Sequence, residues 1–215
     1  MSKSVLIIGL GRFGHHLCEE MVALGNEVLI IDRDEEAVKD LMDIVTNAKV
    51  GDCTKKEVLA SLGVGNFDLI FVCIGTNFQS SLEVTYLVKI LGGKMVICKA
   101  TRDVQAEFLL RNGADKVVYP DKDSAVRIAM KYSTNHIYDY MELSKGYSIF
   151  ELEPPASWIG KSIREENIRA KYHVSVFGVK NGEELTPMPD ASYIINKEDH
   201  LMVVGKTSDL RKIIR

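Results

Sequence analysis

Gly9-Leu-Gly11-Arg-Phe-Gly14 is the segment that most narrows what this chain can fold into. Three glycines in GxGxxG spacing are weak on their own; their surroundings give them weight. Val5-Leu-Ile-Ile8 runs into the motif as a short β-branched segment, which reads as a buried parallel strand. Beyond it Phe13, Leu17, Met21 and Leu24 recur at helical spacing. Glu27-Val-Leu-Ile-Ile31 follows as a second strand and ends at Asp32. A strand, a glycine turn, a helix and a second strand ending in an acid form the context in which the motif marks a nucleotide-binding unit. Gly9 allows the tight turn, Gly11 lets the backbone approach a phosphate, and Gly14 lets helix and strand pack closely. The helix N-terminus offers free N–H groups and a partial positive charge to phosphates. Asp32 is suited to both ribose hydroxyls and would repel a 2′-phosphate. Adenosine nucleotide binding is therefore expected, with Phe13 and Arg33 counted among the residues of the site.

The same alternation continues. A helix capped by Asp34 reaches about Met42, and Asn47-Ala-Lys-Val50 is a weak third strand ending at Gly51-Asp52. Helices over Lys55 to Leu62, Phe78 to Leu91 and Val104 to Asn112 separate strands at Asp68–Ile74, Lys94–Cys98 and Lys116–Tyr119. Connections this short admit only right-handed crossovers, so the class is α/β, a Rossmann-like doubly wound parallel sheet. After a helix from Asp123 to about Tyr132 the pattern changes. Ser148–Leu152, Val174–Val179 and His200–Val204 read as strands, broken by Pro154-Pro155, Asn181-Gly182 and Pro187-Met-Pro189. Short helices fit only around Ile163–Asn167 and Ser208–Ile214. This predicts a small α+β C-terminal module, with the boundary inside Thr134–Gly146: residues 1–136 bind nucleotide and 137–215 form the module. A unit so small is marginal alone and often pairs with a copy of itself.

Composition removes several classes of function. Of 215 residues 46% are hydrophobic and 27% charged, so the chain can cover the entropy cost of folding. The formal charge of −3 argues against a nucleic-acid partner, which would need clustered Lys and Arg. No window approaches the roughly 18 apolar residues of a membrane span. Met1-Ser-Lys-Ser runs directly into a strand and predicts no signal peptide, so a cytoplasmic chain is expected. The cysteines at 18, 53, 73 and 98 show no CxxC spacing, which disfavours disulfides and zinc.

Other candidate residues sit where strands end. Arg12, between the second and third glycines, either reaches a terminal phosphate or is an exposed arginine at a helix start. Asp52 closes the third strand, Ile74-Gly75-Thr76-Asn77 the fourth, and Lys99 the fifth. The carboxyl edge of an open parallel sheet lines its ligand crevice. Asp52 is placed to meet adenine and Lys99 to meet phosphate; each is also an ordinary loop residue when taken singly. His15, His16, His136, His173 and His200 form no ligand spacing, and Trp158 reads as a packing anchor.

Ile8–Gly14, Asp32, Gly51-Asp-Cys-Thr54, Asp68–Asn77 and Arg111–Pro120 together resemble the RCK (KTN, TrkA-N) domain. Ile159-Gly-Lys-Ser-Ile163 and Asn167–Tyr172 resemble its TrkA-C companion. The resemblance covers essentially the whole chain and is closest to the KtrA-type regulatory subunits of Ktr/Trk potassium uptake systems. It implies dimers that assemble into an octameric ring beneath an integral-membrane potassium-transporting subunit, peripheral to the inner face of the membrane. It implies ATP and ADP competing for the N-terminal crevice, with NAD(H) as a further adenosine ligand. By position, Arg12 would meet the terminal phosphate, Asp32 the ribose, and Asp52 and Cys53 the adenine, with Lys99 near phosphate. Asp121 falls where relatives place a glutamate linked to a divalent or monovalent cation beside the phosphates. In some relatives the C-terminal module binds cyclic di-AMP; Ile163, Ile168, Arg169, Ala170, Lys171, Tyr172 and Pro187 occupy that stretch. There Arg169 suits either a phosphodiester or a salt bridge across a dimer.

The function expected is a non-enzymatic, nucleotide-sensing gating subunit. Two alternatives stand beside it. A small NAD-dependent oxidoreductase would need an acid–base pair beside the nicotinamide, and no convincing His–Asp or Tyr–Lys pair is present. A free-standing second-messenger sensor would have a target other than a transporter.

Overall fold

The computed structural model describes residues 2–133 and 136–213 and divides the chain into two compact units, Met1–Lys122 and Asp123–Arg215. In the first, strand and helix alternate as β1 (Ser4–Ile8), α1 (Arg12–Ala23), β2 (Glu27–Asp32), α2 (Glu35–Lys39), β3 (Asn47–Val50) and α3 (Lys56–Ser61). They continue as β4 (Leu69–Val72), α4 (Phe78–Ile90), β5 (Val96–Lys99), α5 (Asp103–Arg111) and β6 (Lys116–Val118), from which α6 (Pro120–Tyr132) leads out. The strands form one parallel sheet in the order β3-β2-β1-β4-β5-β6. The chain runs outward to β3, returns past β1 to β4, and so opens a crevice at the carboxyl ends of β1 and β4.

Period-2 alternation explains why both faces of this sheet are covered. Val5, Ile7, Val28, Ile30 and Phe71 point to one side, where they bury Cys18, Val38 and Leu41 of the segments around α1 and α2. Leu6, Ile8, Ile70, Val72, Val96 and Cys98 point to the other, against Leu59, Val84, Val88 and Leu109 of α3, α4 and α5. Fully burying each Ile or Leu contributes about 1.5–3 kcal/mol, so the centre of the sheet is the rigid part of this unit. All four residues of the edge strand β3 are exposed.

The second unit adds β7 (Ile137–Ser144), β8 (Tyr147–Leu152), α7 (Ile163–Glu166), α8 (Ile168–Tyr172), β9 (Val174–Asn181), β10 (Glu184–Pro187), β11 (His200–Lys206) and α9 (Thr207–Ile213). Its sheet is antiparallel, in the order β10-β9-β11-β8-β7. Trp158, Phe150, Leu152, Val203 and Leu210 are its buried centre, so Trp158 is indeed a packing anchor.

Several sequence expectations differ from this. β7 and β10 are absent from the sequence reading, as is α8, which follows α7 after Asn167 turns left-handed at φ 51°. The strand β10 runs into Pro187, a residue read as a strand break; at the sheet's edge it needs no second ladder partner. The division between units falls at 122/123, whereas the sequence places it at 136/137. Met130 of α6 packs on the second core and Arg127 binds Asp139 of β7 in a two-pronged ion pair (2.8 and 3.1 Å), which ties the body of the helix to the second unit. Thr134, at the head of the expected boundary, and Ile214, closing the last expected helix, lie outside the described residues.

Candidate functional site

A cleft of about 480 Å³ lies along the carboxyl edge of the parallel sheet. Gly9 opens its floor at φ +95°, where a Cβ would stand 3.2 Å from the backbone of Cys73 and of Ile74. A Cβ on Gly14 would stand 2.0 Å from the Gly9 carbonyl oxygen, so only glycine lets α1 begin this close to β1. Gly11 has no neighbour within 4 Å where its Cβ would be, and it is the N-cap of α1 with no side chain capping the helix. The first-turn amides therefore face the cleft without a side-chain acceptor, which is the arrangement an anion fills. By contrast α4, at the same edge, is closed by Asn77, whose side chain accepts from Ser80 N–H at 3.1 Å.

Acids hold one end of the cleft. Asp32 accepts from the backbone N–H of Leu10 (2.6 Å) and of Asp34 (2.9 Å). Asp52 accepts from both the N–H (3.0 Å) and the hydroxyl (2.7 Å) of Thr54, and these bonds keep its carboxyl below the usual range. The locked Oδ1 leaves Asp52 an ionised acceptor. Next to it the buried Cys53 thiol is pushed up to about 12, first by burial and then by the charges of Asp52 and Asp32. Such a thiol is not a nucleophile at neutral pH.

Arg12 and Lys99 lie toward the other end. Arg12 is exposed on the cleft rim, as is Arg33 beside Asp32, where its charge helps to lower Asp52; neither arginine has an ion pair among the described residues. Lys99 is largely buried, its side chain 15% exposed; Nζ lies 3.4 Å from Asp121 Oδ2 and 5.7 Å from the centre of the Phe13 ring.

Of the expected nucleotide residues, Gly9, Gly11, Arg12, Phe13, Asp32, Arg33, Asp52, Cys53, Ile74, Gly75, Thr76, Asn77 and Lys99 all line this one cleft. Gly14 lies beneath it, and Asp121 lies outside, beyond Lys99. Among the described residues no three His, Cys, Asp or Glu side chains are grouped to hold a metal. Sequence reading missed Leu10, Asp34, Thr54, Ser80 and Thr101 in the lining. Thr54 was legible, since an Asp followed two residues later by Thr is a turn-forming pair; the others carry no local signal.

The remaining expected residues belong to the second unit, on α7, α8 and β10. Ile168 is in the core and Ile163 packs against it. The Tyr172 ring lies 5.0 Å from that of Trp158, and its hydroxyl donates to Glu166 at 2.9 Å. Lys171 and Lys161 bind the same buried carboxylate at 3.3 and 2.9 Å. Arg169 and Ala170 point outward, and Arg169 has no ion pair among the described residues. Pro187 is exposed at the end of β10, opposite Gly178.

The chain matches the TrkA-N domain over residues 5–120 and the TrkA-C domain over residues 147–215. It is 37% identical to Ktr system potassium uptake protein C of Bacillus subtilis (strain 168) and 35% identical to protein A of the same strain. These matches cover 99% and 98% of this chain and 96% and 95% of the relatives. The GsuK channel shares its fold, with a TM-score of 0.70 at 21% identity over 100% of this chain and 40% of the channel's. The Kef C-terminal domain of Shewanella denitrificans, solved in an AMP-bound form, matches 60% of this chain and 77% of its own at TM-score 0.51 and 25% identity. No helix among the described residues is long and apolar enough to cross a membrane. By its two matched domains and its identity to these relatives over nearly the whole of both chains, this chain belongs to the family of Ktr potassium uptake proteins built from a TrkA-N and a TrkA-C domain.

Proposed function

We propose that this chain is the cytoplasmic, nucleotide-sensing regulatory subunit of a potassium uptake system, and that exchange of ATP for ADP in the N-terminal cleft gates a separate membrane subunit. The observation that carries this is the order of charge along the cleft. From β3 to β5 come Asp52, Asp32, the uncapped start of α1 with Arg12, and then Lys99. Four strand spacings of roughly 4.8 Å make this row about 19 Å long, with acceptors for a base and a ribose diol at one end and cations for phosphates at the other. An adenosine polyphosphate matches that order in both charge and length. The AMP-bound Kef domain supports an adenine ligand on this scaffold.

The action is binding rather than turnover: among the described residues no histidine lines the cleft, and its Cys53 thiol is protonated. Gating requires that ATP and ADP differ in affinity for two arrangements of the assembly, since a ligand that binds both equally shifts nothing. The terminal phosphate beside Arg12 and Lys99 is that differential contact. The assembly is a homo-oligomer of dimers closing into an octameric ring, docked on the membrane subunit. In the second unit the outward guanidinium of Arg169 is available to a phosphodiester, and cyclic di-AMP is the ligand assigned there.

Calorimetric titration of nucleotide-stripped protein with ATP, ADP, NADH and cyclic di-AMP, with light scattering for mass, tests this reading. Saturable ATP and ADP binding to an oligomer, with cyclic di-AMP at an independent site, is expected. Tight NADH binding without a response to ATP or ADP would overturn it in favour of a redox protein.

A further inference from the structure

Four side chains at one end of the antiparallel sheet form a cluster that the nucleotide cleft does not use. His200, the first residue of β11, sets its Nδ1 2.9 Å from Glu151 Oε1 on the neighbouring β8. Lys180 of β9 reaches the same oxygen at 3.6 Å. The Tyr138 ring lies flat on the imidazole, with centroids 3.6 Å apart and planes 12° from parallel. Tyr138 belongs to β7, and β8 lies between that strand and β11. It reaches across because it is a bulge residue. The register passes from Ile137 opposite Leu152 to Asp139 opposite Glu151, which leaves Tyr138 without a ladder partner. An extra residue of this kind re-aims its side chain. The next residue, Asp139, holds Arg127 of α6 at 2.8 and 3.1 Å. Because α6 buries none of its residues, it relies on this anchor and on the packing of Met130.

We propose that His200 is a proton-responsive latch of the second unit: its charged form holds Tyr138 and the bulge, and through Asp139 the body of α6, while its neutral form lets them loosen. Histidine is the side chain whose charge ordinarily changes between pH 5 and 8. A carboxylate oxygen only accepts, so Nδ1 keeps its hydrogen in both charge states and Nε2 takes the second proton. That proton turns a neutral ring against Tyr138 into a cation over a π face, and the bond to Glu151 into a charge-assisted one. Lys180 opposes it, but from farther away and with its side chain 40% exposed. Asp199, the preceding residue, spends its carboxylate on the Tyr193 hydroxyl and the Asn196 N–H at 3.0 and 2.8 Å. His136, just before β7, faces Glu153 at 2.9 Å and is the second histidine near the bulge. The latch stands apart from whatever the N-terminal cleft binds.

The test is amide-exchange protection of the full-length protein over residues 124–131 and 137–141 at about pH 6 and about pH 8, corrected for the intrinsic pH dependence of exchange. Protection in both segments should be roughly two- to fivefold higher at the lower pH, the size of a cation over an exposed aromatic face. In His200→Gln that difference should vanish. The glutamine amide can still donate to Glu151, so the fold is kept while the titrating ring is lost. Tyr138→Leu keeps an apolar side chain and should remove the difference as well. His136→Gln should retain it. Protection that does not change with pH in the unmutated protein would overturn the proposal. So would a pH response that survives in His200→Gln or in Tyr138→Leu, or one that is lost in His136→Gln, because the proton would then act elsewhere.

Discussion

The Asp32 carboxylate accepts the backbone N–H of Leu10 at 2.6 Å, so the end of β2 is fastened to the middle of the glycine loop. One residue thus shapes the loop that receives phosphates and faces the ribose position. Asp32→Ala removes both roles. It should lower stability by about 1–3 kcal/mol through the unpaired loop amide, and weaken ATP, ADP and AMP together. Scanning calorimetry and nucleotide titration of the same sample check this; a loss confined to ATP would contradict it.

Arg12 behaves differently because it is exposed and has no ion pair among the described residues. Arg12→Ala should leave the melting temperature unchanged and cut ATP affinity by tenfold or more, with ADP affected less than threefold. The estimate is a charge-assisted hydrogen bond worth about 1.5–3 kcal/mol. Equal losses for the two nucleotides would remove Arg12 from the terminal phosphate.

The second and third glycines of the motif separate structure from binding. Gly14→Ala forces a methyl to 2.0 Å from a backbone oxygen and should cost about 3 kcal/mol or more, read as a lower denaturant midpoint. Gly11→Ala meets nothing within 4 Å and should change stability by less than about 1 kcal/mol, while its methyl obstructs the approach to the first-turn amides and abolishes nucleotide binding. A Gly11→Ala protein with full ATP affinity would place the phosphates elsewhere.

Acid should weaken the second unit through Glu166. Lys161 above all, then Tyr172 and Lys171, hold its carboxyl down to about 2 from an ordinary value of 4.5, against the opposing effect of burial. A depressed folded-state pKa gives stability that is complete above the unfolded value and is lost as pH falls through the folded one. Thermal melts should therefore show a decline between about pH 4.5 and 2 that Glu166→Gln flattens. The variant should also be less stable at neutral pH, by about 1–2 kcal/mol.

The first unit was legible in the sequence because its signals are local and repeated. Val5–Ile8 and residues 28–31 are apolar on both faces, which only a strand covered on two sides needs, and each is followed closely by a glycine or a turn. The cleft was legible for the same reason: its residues fall immediately after strands. The second unit was less so. In Ile137–Ser144 only Ile137 and Tyr140 are buried, and a strand that interrupts its own alternation, with register shifts at both ends, presents no period of two. The helix Ile168–Tyr172 is too short to show a stripe and depends on Asn167 adopting φ 51°, which the residues around it do not announce. The ion pair between Lys99 and Asp121 is equally hidden, because the two stand on different elements and no local pattern in the sequence couples them.

Asp32 and Lys99 end their strands and Asp52 lies just beyond the end of β3, while the strand pairing and the apolar faces lie behind them. Replacing Asp52 or Lys99 therefore leaves the ladder and the core untouched. Ligand preference on such a scaffold can be retuned one strand end at a time, as a row of separate keys is recut without rebuilding the lock that carries them.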